Sequence, residues 1–574
     1  MKKSIKKIIS LVIAMALTIS GITYSTVAKA DESEGSWKTD AVKVPSEGQL
    51  VGAGYIDVEF DNSMEGYTYT VYLDGKPVYW NGNDIVREEL GEKKTDDSVT
   101  KTFTSSDEGK TEVYATTVSK HEITVKAKKD NVELTSVRNF YVSKKGLALG
   151  GDMSDKIKLS KLNCSWYYNW STEAFNKPLD KGVQHIPMMW GSGDDNKEAM
   201  KNLVTTSNYI LGFNEPDIGS QANMQFFEAV DIWNQYIKPL NLRKVSPAPA
   251  APGGDSVWLK RFIRGDYICK NPWDGSWGLY YDYEDDATKK WIEGENEDVD
   301  AVSLHYYRNV INLQGLIEAV DTLWNLYHKP IWITEMSLFG RKGTEYDFSY
   351  ENEEKRAEIQ KYLEGAMEAL DANPHVERYC WFSYDIDSSN DIDSSDGSGG
   401  TAMFDYTSGA YTELGRMYSS KGNPEGYNTE TISDDEMFVY VPETTTPETT
   451  TAKDSATKTT EPKTTENKKV ATTTVTVNKT LVKKATKVKA SAKTKIYVKK
   501  VVGAAKYQVQ VSATKNFKKV LATKTSTKAT FTIKNSKLKN KKVLYVRVKV
   551  AKKVNNKLVY SKWSASKKVV INKK

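Results

Sequence analysis

The sequence predicts a multidomain protein in which a central (β/α)8 TIM barrel lies between an N-terminal and a C-terminal β-sandwich. First, a chain of 574 residues has room for three or four domains of about 150 residues each. Second, the hydrophobic pattern changes from a period of two to alternating strands and helices, and then back again. Third, residues 481–574 contain 29 lysines and arginines and no acidic residue, which leaves 52 basic and 75 acidic residues in the rest of the chain. Two parts of opposite charge are expected to be separate domains.

Residues 1–30 have the features of a secretory signal peptide. Four lysines within the first seven residues precede an apolar run from Ile8 to Ile22, and Ala28-Lys29-Ala30 supplies the small residues of a cleavage site. A membrane anchor is the alternative, but the apolar run is shorter than the ~20 residues that span a bilayer. We therefore expect a secreted protein that is extracellular or associated with a cell wall.

Residues 31–144 are predicted to form an immunoglobulin-like β-sandwich. The segments 55–60, 67–72 and 121–126 alternate between apolar and polar residues, as strands with one buried face do. Asp74-Gly75 is a tight-turn signal, and no long helical pattern interrupts the strands.

Residues 145–424 are predicted to form the barrel, because short apolar strands alternate there with amphipathic helices. Helical spacing of apolar residues marks the segments 223–240, 316–327 and 359–370. The eight strand candidates are 146–149, 164–168, 185–189, 209–213, 244–248, 302–305, 330–334 and 378–382. Eight strands in about 280 residues match the size of a (β/α)8 barrel.

After the barrel, residues 425–480 are predicted to be a Thr/Pro-rich linker, since Pro-Glu-Thr-Thr-Thr begins at residue 442 and again at 447. Residues 481–574 return to alternating strands at 507–511 and 544–550. With a Tyr-Ser-Lys-Trp-Ser segment near its end, this basic region resembles a fibronectin type III domain, a β-sandwich that often serves as a spacer in secreted enzymes.

Two glutamates follow predicted barrel strands. Glu215 comes at the end of the fourth strand and Glu335 at the end of the seventh, and such barrels carry their functional groups at the carboxyl ends of the strands. Cleavage of a glycosidic bond needs a proton for the leaving oxygen and a carboxylate for the cationic sugar carbon. Glu215 could instead favour only the start of the next helix, but Asp217 would already serve that purpose. Glu335 follows an apolar strand, where an unpaired charge is costly unless function retains it. The pair indicates a site for glycoside hydrolysis.

The central region resembles glycoside hydrolase family 128, a family of β-1,3-glucanases within the retaining clan A. The most specific stretch is Leu-Gly-Phe-Asn-Glu-Pro-Asp at 211–217. Corroborating stretches are Trp-Tyr-Tyr-Asn-Trp at 166–170, Ile-Pro-Met-Met-Trp at 186–190, Ser-Pro-Ala at 246–248, Val-Ser-Leu-His-Tyr-Tyr at 302–307, Trp-Ile-Thr-Glu at 332–335 and Arg-Tyr-Cys-Trp-Phe at 378–382. The resemblance covers residues 145–417 and neither flanking domain.

This resemblance implies cleavage of internal β-1,3-glucosidic bonds by a retaining double displacement. Glu215 would be the general acid/base and Glu335 the nucleophile, so Glu215 has to begin the cycle protonated and Glu335 ionised. Asn214 would bind the 2-hydroxyl of the sugar under attack. Tyr307 would orient the nucleophile, with His305 nearby.

Tryptophans at strand ends are candidates for stacking on sugar rings, whose flat C–H faces suit aromatic side chains. Trp170, Trp190 and Trp381 lie at or near such ends. Trp170 and Trp190 also stand where some clan A relatives have an arginine, which leaves the support of the nucleophile incomplete. Trp273 and Trp277, in the loop after the fifth strand, have two alternative roles: they wall the cleft, or they plug the edge of the barrel.

No metal or cofactor is expected. The three cysteines lack the close pair spacing of a zinc site and allow at most one internal disulfide. The aspartate-rich segment 385–396 lacks the calcium-loop pattern with its central glycine and final glutamate. A solvated loop is therefore favoured there, and a calcium site stays an open alternative.

The expected partner is a β-glucan polysaccharide, and the protein is expected to be a monomer. Secretion argues against nucleic acid as a partner of the basic C-terminal domain, which would contact anionic wall polymers or simply keep the domain soluble. Two other functions stay open. One is a clan A hydrolase of another β-linked polysaccharide, such as mannan or cellulose. The other is a non-catalytic carbohydrate-binding or wall adhesion protein with a degenerate barrel.

Overall fold

The protein, represented by a computed structural model, divides into two compact units, residues 1–444 and 445–574. The structure describes residues 37–440 and 482–572, except 38–39, 151–152, 154–155, 176–181, 251–255, 388–396, 499–500, 502–503, 516, 555–556, 562 and 565. The predicted signal peptide, most of the predicted linker and most of the aspartate-rich segment lie outside the described residues. Among the helices of the described part, none combines the length and the apolar character that crossing a membrane requires.

The N-terminal part of the first unit consists of two main sheets around one apolar core. Its strands are β1 (Val42–Val44), β2 (Gln49–Gly52), β3 (Gly54–Phe60), β4 (Thr68–Leu73), β5 (Lys76–Pro77), β6 (Tyr79–Asn81), β7 (Asp84–Ile85), β8 (Val99–Thr100), β9 (Thr102–Phe103), β10 (Lys110–Ala115), β11 (Lys120–Lys129) and β12 (Val132–Ser143). One main sheet has the order β1-β3-β10 and the other β2-β12-β11-β4-β5, with β9 beside β4, while β7-β6-β8 form a smaller sheet. Buried residues from both main sheets, such as Val58 and Val125, belong to the same apolar cluster.

Eight parallel strands form the centre of the following region in a barrel-like order. The strands of this region are β13 (Lys145–Ala148), β14 (Trp166–Tyr168), β15 (Gln184–His185), β16 (Tyr209–Leu211), β17 (Arg243–Val245), β18 (Asp266–Lys270), β19 (Trp277–Leu279), β20 (Lys290–Ile292), β21 (Val302–Arg308), β22 (Ile331–Leu338) and β23 (Val376–Trp381). The parallel pairs run in the orders β15-β14-β13-β23-β22-β21 and β16-β17. Single parallel bridges join Met188 to Leu211 and Val245 to Ala301, beside the ends of these two sheets. Strands β18–β20 form a separate antiparallel sheet, and the other eight overlap all eight predicted segments.

Most helices of this region begin at polar caps and bury an apolar face. They are α1 (Asp194–Lys201), α2 (Phe226–Tyr236), α3 (Val257–Arg264), α4 (Tyr280–Tyr283), α5 (Leu313–Tyr327), α6 (Glu353–Ala372) and α7 (Glu413–Ser420). The side chains of Asn312, Asn352 and Thr412 each accept a hydrogen bond from a backbone N–H in the first turn of α5, α6 and α7. Such caps satisfy amide groups that a helix leaves free at its start. The three predicted helices correspond to α2, α5 and α6.

The N-terminal sheets contact the beginnings of the central strands through buried charged groups. The carboxylate of Glu377, near the start of β23, accepts hydrogen bonds of 2.7 Å from the Tyr114 hydroxyl of β10 and from the Trp332 indole of β22. Next to it, the Arg378 Nε donates to the backbone carbonyl of Ala53 at 2.9 Å. Both charged side chains are buried, so these contacts fix the N-terminal sheets to the end of the strands opposite their carboxyl ends.

The boundary predicted for the linker, residue 425, is wrong, because residues 425–440 pack against the central region. Ile432 is buried in the same apolar cluster as the helices. The Phe438 amide donates to the carbonyl of Tyr411 at 2.7 Å, and the Glu430 amide donates to the side chain of Asn163 at 2.9 Å. These apolar and polar contacts order a stretch whose composition resembles that of a linker.

The second unit also consists of two sheets around one apolar core. Its strands are β24 (Val482–Val488), β25 (Lys493–Val498), β26 (Lys506–Ser512), β27 (Val520–Ser526), β28 (Thr530–Lys534), β29 (Tyr545–Val554), β30 (Lys557–Tyr560), β31 (Lys567–Lys568) and β32 (Val570–Asn572). One sheet has the order β28-β25-β24-β32 and the other β27-β26-β29-β30, with β31 beside β29. Ile496 of the first sheet and Val548 of the second are both fully buried in the shared core. The two predicted strands correspond to β26 and β29.

Candidate active site

Glu215 and Glu335 are both buried at the carboxyl-end side of parallel strands. Glu215 follows β16, donates its backbone N–H to the carbonyl of Ala248 at 2.8 Å, and has a φ of 42°. This left-handed conformation is unfavourable for a residue with a side chain, and such conformations cluster at active sites. Glu335 lies in β22 where the register with both neighbouring strands shifts. The exposed fractions are 9% for Glu215 and 5% for Glu335.

The ring of His305 lies between these two carboxylates. Its Nδ1 is 3.0 Å from an oxygen of Glu215 and 3.6 Å from an oxygen of Glu335. Burial alone would lower the pKa of His305, but the neighbouring Glu335 and Glu215 carboxylates raise it above its ordinary value. A raised pKa favours the protonated ring, whose Nδ1–H donates a hydrogen bond between the two acidic groups.

Three hydrogen-bond donors hold the carboxylate of Glu335. The hydroxyl of Tyr307 donates to one oxygen at 2.6 Å, while the hydroxyl of Tyr168 and the indole N–H of Trp170 donate to the other at 2.9 Å each. Burial and the nearby Glu335 charge raise the pKa of both tyrosines well above the usual value. The hydroxyls therefore stay protonated and can act as donors to the carboxylate.

Trp170 contacts Glu335 through its indole edge, which the sequence did not indicate. Trp170 has a φ of 56°, a second left-handed residue at this site, and its ring meets the ring of Tyr168 at a centroid distance of 5.2 Å. The residue that stands where some relatives have an arginine thus supplies a hydrogen bond to the proposed nucleophile.

Tyr168 is a site residue to which sequence analysis assigned no role. It lies in the Trp-Tyr-Tyr-Asn-Trp stretch and ends β14, as Trp166–Tyr168. Its position at a strand end was a usable signal, because such barrels carry their functional groups at the carboxyl ends of the strands.

Asn214 and Trp190 lie beside the glutamates. The Asn214 amide donates to the Trp190 carbonyl at 3.0 Å. The side-chain Oδ1 of Asn214 is buried and has no hydrogen-bond partner among the described residues. Buried polar atoms are nearly always paired, so this oxygen is a candidate acceptor for a sugar hydroxyl. The ring of Trp190 is half-buried, and part of it stays accessible.

Trp381 does not fit the stacking role predicted for it. Its side chain is fully buried, its indole N–H donates to the carbonyl of Thr401 at 2.9 Å, and it belongs to the main apolar cluster. A ring enclosed on both faces cannot receive a sugar, so we remove Trp381 from the candidate binding residues.

Trp273 and Trp277 also lie apart from the glutamates. They follow α3, which leads from β17 back toward the beginnings of the strands, and they precede β21. A segment that connects a helix end to a strand start lies on the face of the barrel opposite the active site. The role of walling the cleft is therefore excluded for both tryptophans.

Glu215, His305 and Glu335 are also the cluster of described residues that could coordinate a cation. One ligand atom from each lies within 4.8 Å of the others. In the geometry observed, the His305 Nδ1 is within hydrogen-bond distance of Glu215, and three donors contact the carboxylate of Glu335.

Comparison with known proteins places this site in context. Residues 146–418 match the family model described as the glycosyl hydrolase catalytic core. Alkali-sensitive linkage protein 1 of Schizosaccharomyces pombe is 26% identical over 286 residues, which cover 48% of this chain and 44% of that protein. The chain thus spans less than half the length of this curated relative.

Solved structures with similarity to the chain include two of family 128. The endo-β-1,3-glucanase of subgroup I from Amycolatopsis mediterranei, in complex with laminaritriose, is 25% identical, with 47% of this chain and 100% of that chain covered and a TM-score of 0.33. The exo-β-1,3-glucanase of subgroup V from Cryptococcus neoformans is 20% identical, with 49% and 99% covered and a TM-score of 0.34.

The family match covers the domain formed by the parallel strands and the buried acidic pair almost completely. The central domain is therefore similar to a glycoside hydrolase catalytic core.

Proposed function

We propose that the central domain is a (β/α)8 retaining hydrolase that cleaves internal β-1,3-glucosidic bonds of glucans, with Glu215 and Glu335 as its catalytic pair. The observation that carries the proposal is the approach of the two glutamates: one oxygen of each lies within 4.8 Å of the other, on different strands of one site. Retaining enzymes place their carboxyl groups roughly 5–5.5 Å apart, whereas inverting enzymes leave about 6.5–9.5 Å for a water molecule.

In the first step, Glu335 attacks the anomeric carbon while Glu215 donates its proton to the departing glucan oxygen. The hydroxyls of Tyr168 and Tyr307 and the indole N–H of Trp170 donate hydrogen bonds to Glu335 and orient it toward the carbon. A covalent glycosyl-enzyme forms, and the leaving chain departs with the proton from Glu215.

In the second step, Glu215 acts as a base. It takes a proton from the water that attacks the anomeric carbon, Glu335 leaves as a carboxylate, and the sugar keeps its original configuration. His305, 3.0 Å from Glu215, is placed to respond to each change in the charge of that side chain. Asn214 would bind the 2-hydroxyl of the reacting sugar, and Trp190 would stack on a neighbouring ring.

The preference for β-1,3-glucan rests on the motif resemblance to family 128, above all on the stretch from Leu211 to Asp217. A panel of soluble β-1,3-glucan, β-1,4-glucan and mannan tests it by release of reducing sugar. Fastest release from β-1,3-glucan, with a rapid fall in viscosity, supports internal cleavage of that polymer. Faster release from either other polymer would assign a different substrate.

The roles of the glutamates are tested by azide rescue. Glu215→Ala and Glu335→Ala are each expected to lower turnover by several orders of magnitude while the protein stays folded. Azide should restore turnover to the Glu215 variant and give a sugar azide of retained configuration. Restoration of the Glu335 variant with that same product would mean that the roles are exchanged.

The surrounding regions complete the proposal. Residues 1–30 would direct secretion, the N-terminal sheets would be an immunoglobulin-like sandwich, and the protein would act as a monomer outside the cell or at a wall. The C-terminal unit would be a fibronectin type III-like spacer. Because residues 481–574 carry 29 basic and no acidic residues, this unit would contact anionic wall polymers.

A further inference from the structure

Most of the exposed aromatic side chains of the described residues lie in one small sheet. This aromatic sheet, residues 266–292, has the strand order β19-β18-β20. Of the eight large aromatic side chains exposed on the described residues, five belong to it, and the other three are scattered. The five are Tyr267, Trp273, Trp277, Tyr281 and Trp291. Trp273 is 85% exposed, so these rings are not the surface of a buried core.

The aromatic sheet is held firmly to the central domain. Ile268 and Cys269 of β18 are buried beneath it. Gly265, with a φ of 83°, lies so close to the carbonyl of Ile292 and to Gly294 that an added Cβ would come within 3.0 Å of each. The turn that carries Trp273 is closed by a backbone hydrogen bond of 2.7 Å from Asn271 to Ser276. A fixed support lets exposed rings bind a ligand with little loss of conformational entropy.

The aromatic sheet is on the opposite face from the catalytic pair. It begins directly after α3, and Arg264 at the end of that helix donates to the carbonyl of Leu326 near the end of α5. Helix ends and strand starts share this face, whereas Glu215 and Glu335 lie toward the strand carboxyl ends. A ligand on the aromatic sheet would therefore not enter the active site.

The charge of the aromatic sheet limits its possible ligands. Residues 266–293 contain seven acidic residues and three lysines, a net charge of −4. This field disfavours nucleic acid, anionic lipid surfaces and anionic wall polymers. Among these polymers, the class that remains is a neutral polysaccharide, whose hydroxylated sugar rings can contact the aromatic side chains.

Polar groups lie at the edges of the rings, as a sugar ligand requires. Tyr267 and Trp291 are paired across β18 and β20, with ring centroids 4.9 Å apart. The Lys289 ammonium lies 4.4 Å from the Tyr267 ring, and the Trp291 indole N–H donates to Glu293 at 2.9 Å. Flat apolar faces bordered by charged donors and acceptors match the C–H faces and hydroxyl edges of a pyranose chain.

We propose that the aromatic sheet is a second glucan-binding surface, which holds the enzyme on an insoluble β-glucan chain away from its active site. The choice of glucan as the ligand rests on the proposed function, whereas the polysaccharide class rests on the sheet itself. A surface of this kind adds avidity on polymeric substrate, because binding at one site raises the local concentration of chains at the other.

The experiment compares full-length proteins that carry Glu335→Gln, so that binding is measured without cleavage. Trp273→Ala, Trp277→Ala and Trp291→Ala are combined in one variant, and partition onto insoluble β-1,3-glucan particles is measured. Each lost ring contact weakens binding by about 2- to 12-fold, so we expect the triple variant to bind at least tenfold more weakly. Cleavage is measured with the same three substitutions in a protein that keeps Glu335. Its kcat/KM on a short soluble β-1,3-gluco-oligosaccharide should stay within twofold of the wild-type value.

Two controls make the result decisive. Tyr497→Ala removes an exposed ring of the C-terminal unit. If this variant lost binding and the triple variant did not, the proposal would be overturned. Trp273→Ala alone, at the exposed turn, replaces the triple variant if the latter unfolds. Unchanged partition, or a change from dimer to monomer on substitution, would also overturn it. Binding to β-1,4-glucan or mannan particles but not to β-1,3-glucan would support a polysaccharide-binding surface and reject β-1,3-glucan as its ligand.

Discussion

The Nδ1 of His305 lies 3.0 Å from a carboxylate oxygen of Glu215, inside a site where the His305 side chain is fully buried. The same nitrogen is 3.6 Å from Glu335, so one imidazole contacts both members of the proposed catalytic pair. A single proton on this ring therefore interacts with two acidic groups whose charges have to alternate during the reaction. This coupling makes the site sensitive to pH through His305.

The first prediction concerns stability. The folded-state pKa of His305 is raised above its ordinary value of 6.5. The stabilisation by the protonated ring is therefore complete below pH 6.5 and is lost as the pH rises through the raised value. We compare the free energy of unfolding of the wild type with that of His305→Gln. The difference in favour of the wild type should be larger at about pH 5.5 than at about pH 9. Denaturant unfolding at both pH values measures the difference.

His185 provides a control with the opposite sign. Burial lowers the pKa of His185 to about 4. Below its ordinary value of 6.5 the unfolded chain binds a proton that the folded ring does not accept until about pH 4, so acid destabilises the fold through this residue. Relative to His185→Gln, wild type should lose stability as the pH falls. If both variants showed the same pH dependence, the assignment to His305 would fail.

The second prediction concerns the shortest contact of Glu335. Tyr307→Phe removes a hydrogen bond of 2.6 Å to a carboxylate that has to carry charge. Hydrogen bonds to charged groups contribute about 1.5–3 kcal/mol, so kcat should fall by roughly 10- to 150-fold. Tyr306→Phe, the neighbouring residue on β21, is the matched control, because no hydrogen bond joins it to Glu335, and its kcat should stay within about twofold.

The third prediction separates two roles for Trp170. If this residue mainly positions Glu335 through its indole N–H, Trp170→Phe keeps an aromatic face but removes the 2.9 Å hydrogen bond, and kcat should fall about tenfold with little change in KM. Trp190→Phe, at a residue with no hydrogen bond to either glutamate among the described residues, should change KM more than kcat. A rise in KM with an unchanged kcat for Trp170→Phe would instead support the stacking role that the sequence predicted for Trp170.

The positions of the strands were predictable because each contains a short apolar run, although β21 and β22 extend three and four residues beyond their predicted ends. The run from Tyr209 to Phe213 ends at Asn214 and Glu215, and all eight predicted strands overlap observed ones. Period and polarity change depend only on neighbouring residues, which the sequence contains. The acidic pair follows from the same local signal.

Contacts between distant segments were less predictable. The donors from Tyr168 and Trp170 reach Glu335 across about 165 residues of chain, and their approach to it depends on the barrel-like arrangement of the strands. Trp381 looked exposed because it ends a strand, but the segment around Thr401 covers it. The short helix α3 was not among the predicted helices, and without it the sequence left the role of Trp273 open between walling the cleft and plugging the edge of the barrel.

The last prediction concerns the contact between the N-terminal sheets and the central domain. Tyr114→Phe removes a 2.7 Å hydrogen bond to the fully buried carboxylate of Glu377, which then keeps the Trp332 indole as its other short donor. Removing a donor from a buried charged group costs about 1.5–3 kcal/mol, so the free energy of unfolding should fall by that amount.

Urea unfolding followed by tryptophan fluorescence measures this loss. Tyr72→Phe, a half-buried tyrosine of the same sheets, should change the free energy by less than about 0.5 kcal/mol. The kcat of Tyr114→Phe should stay unchanged, because Glu377 lies at the strand starts and Glu335 toward the strand ends. A fall in kcat without a loss of stability would contradict a purely structural role for this contact. Equal losses in both variants would show that the hydrogen bond to Glu377 does not join the two parts of the unit.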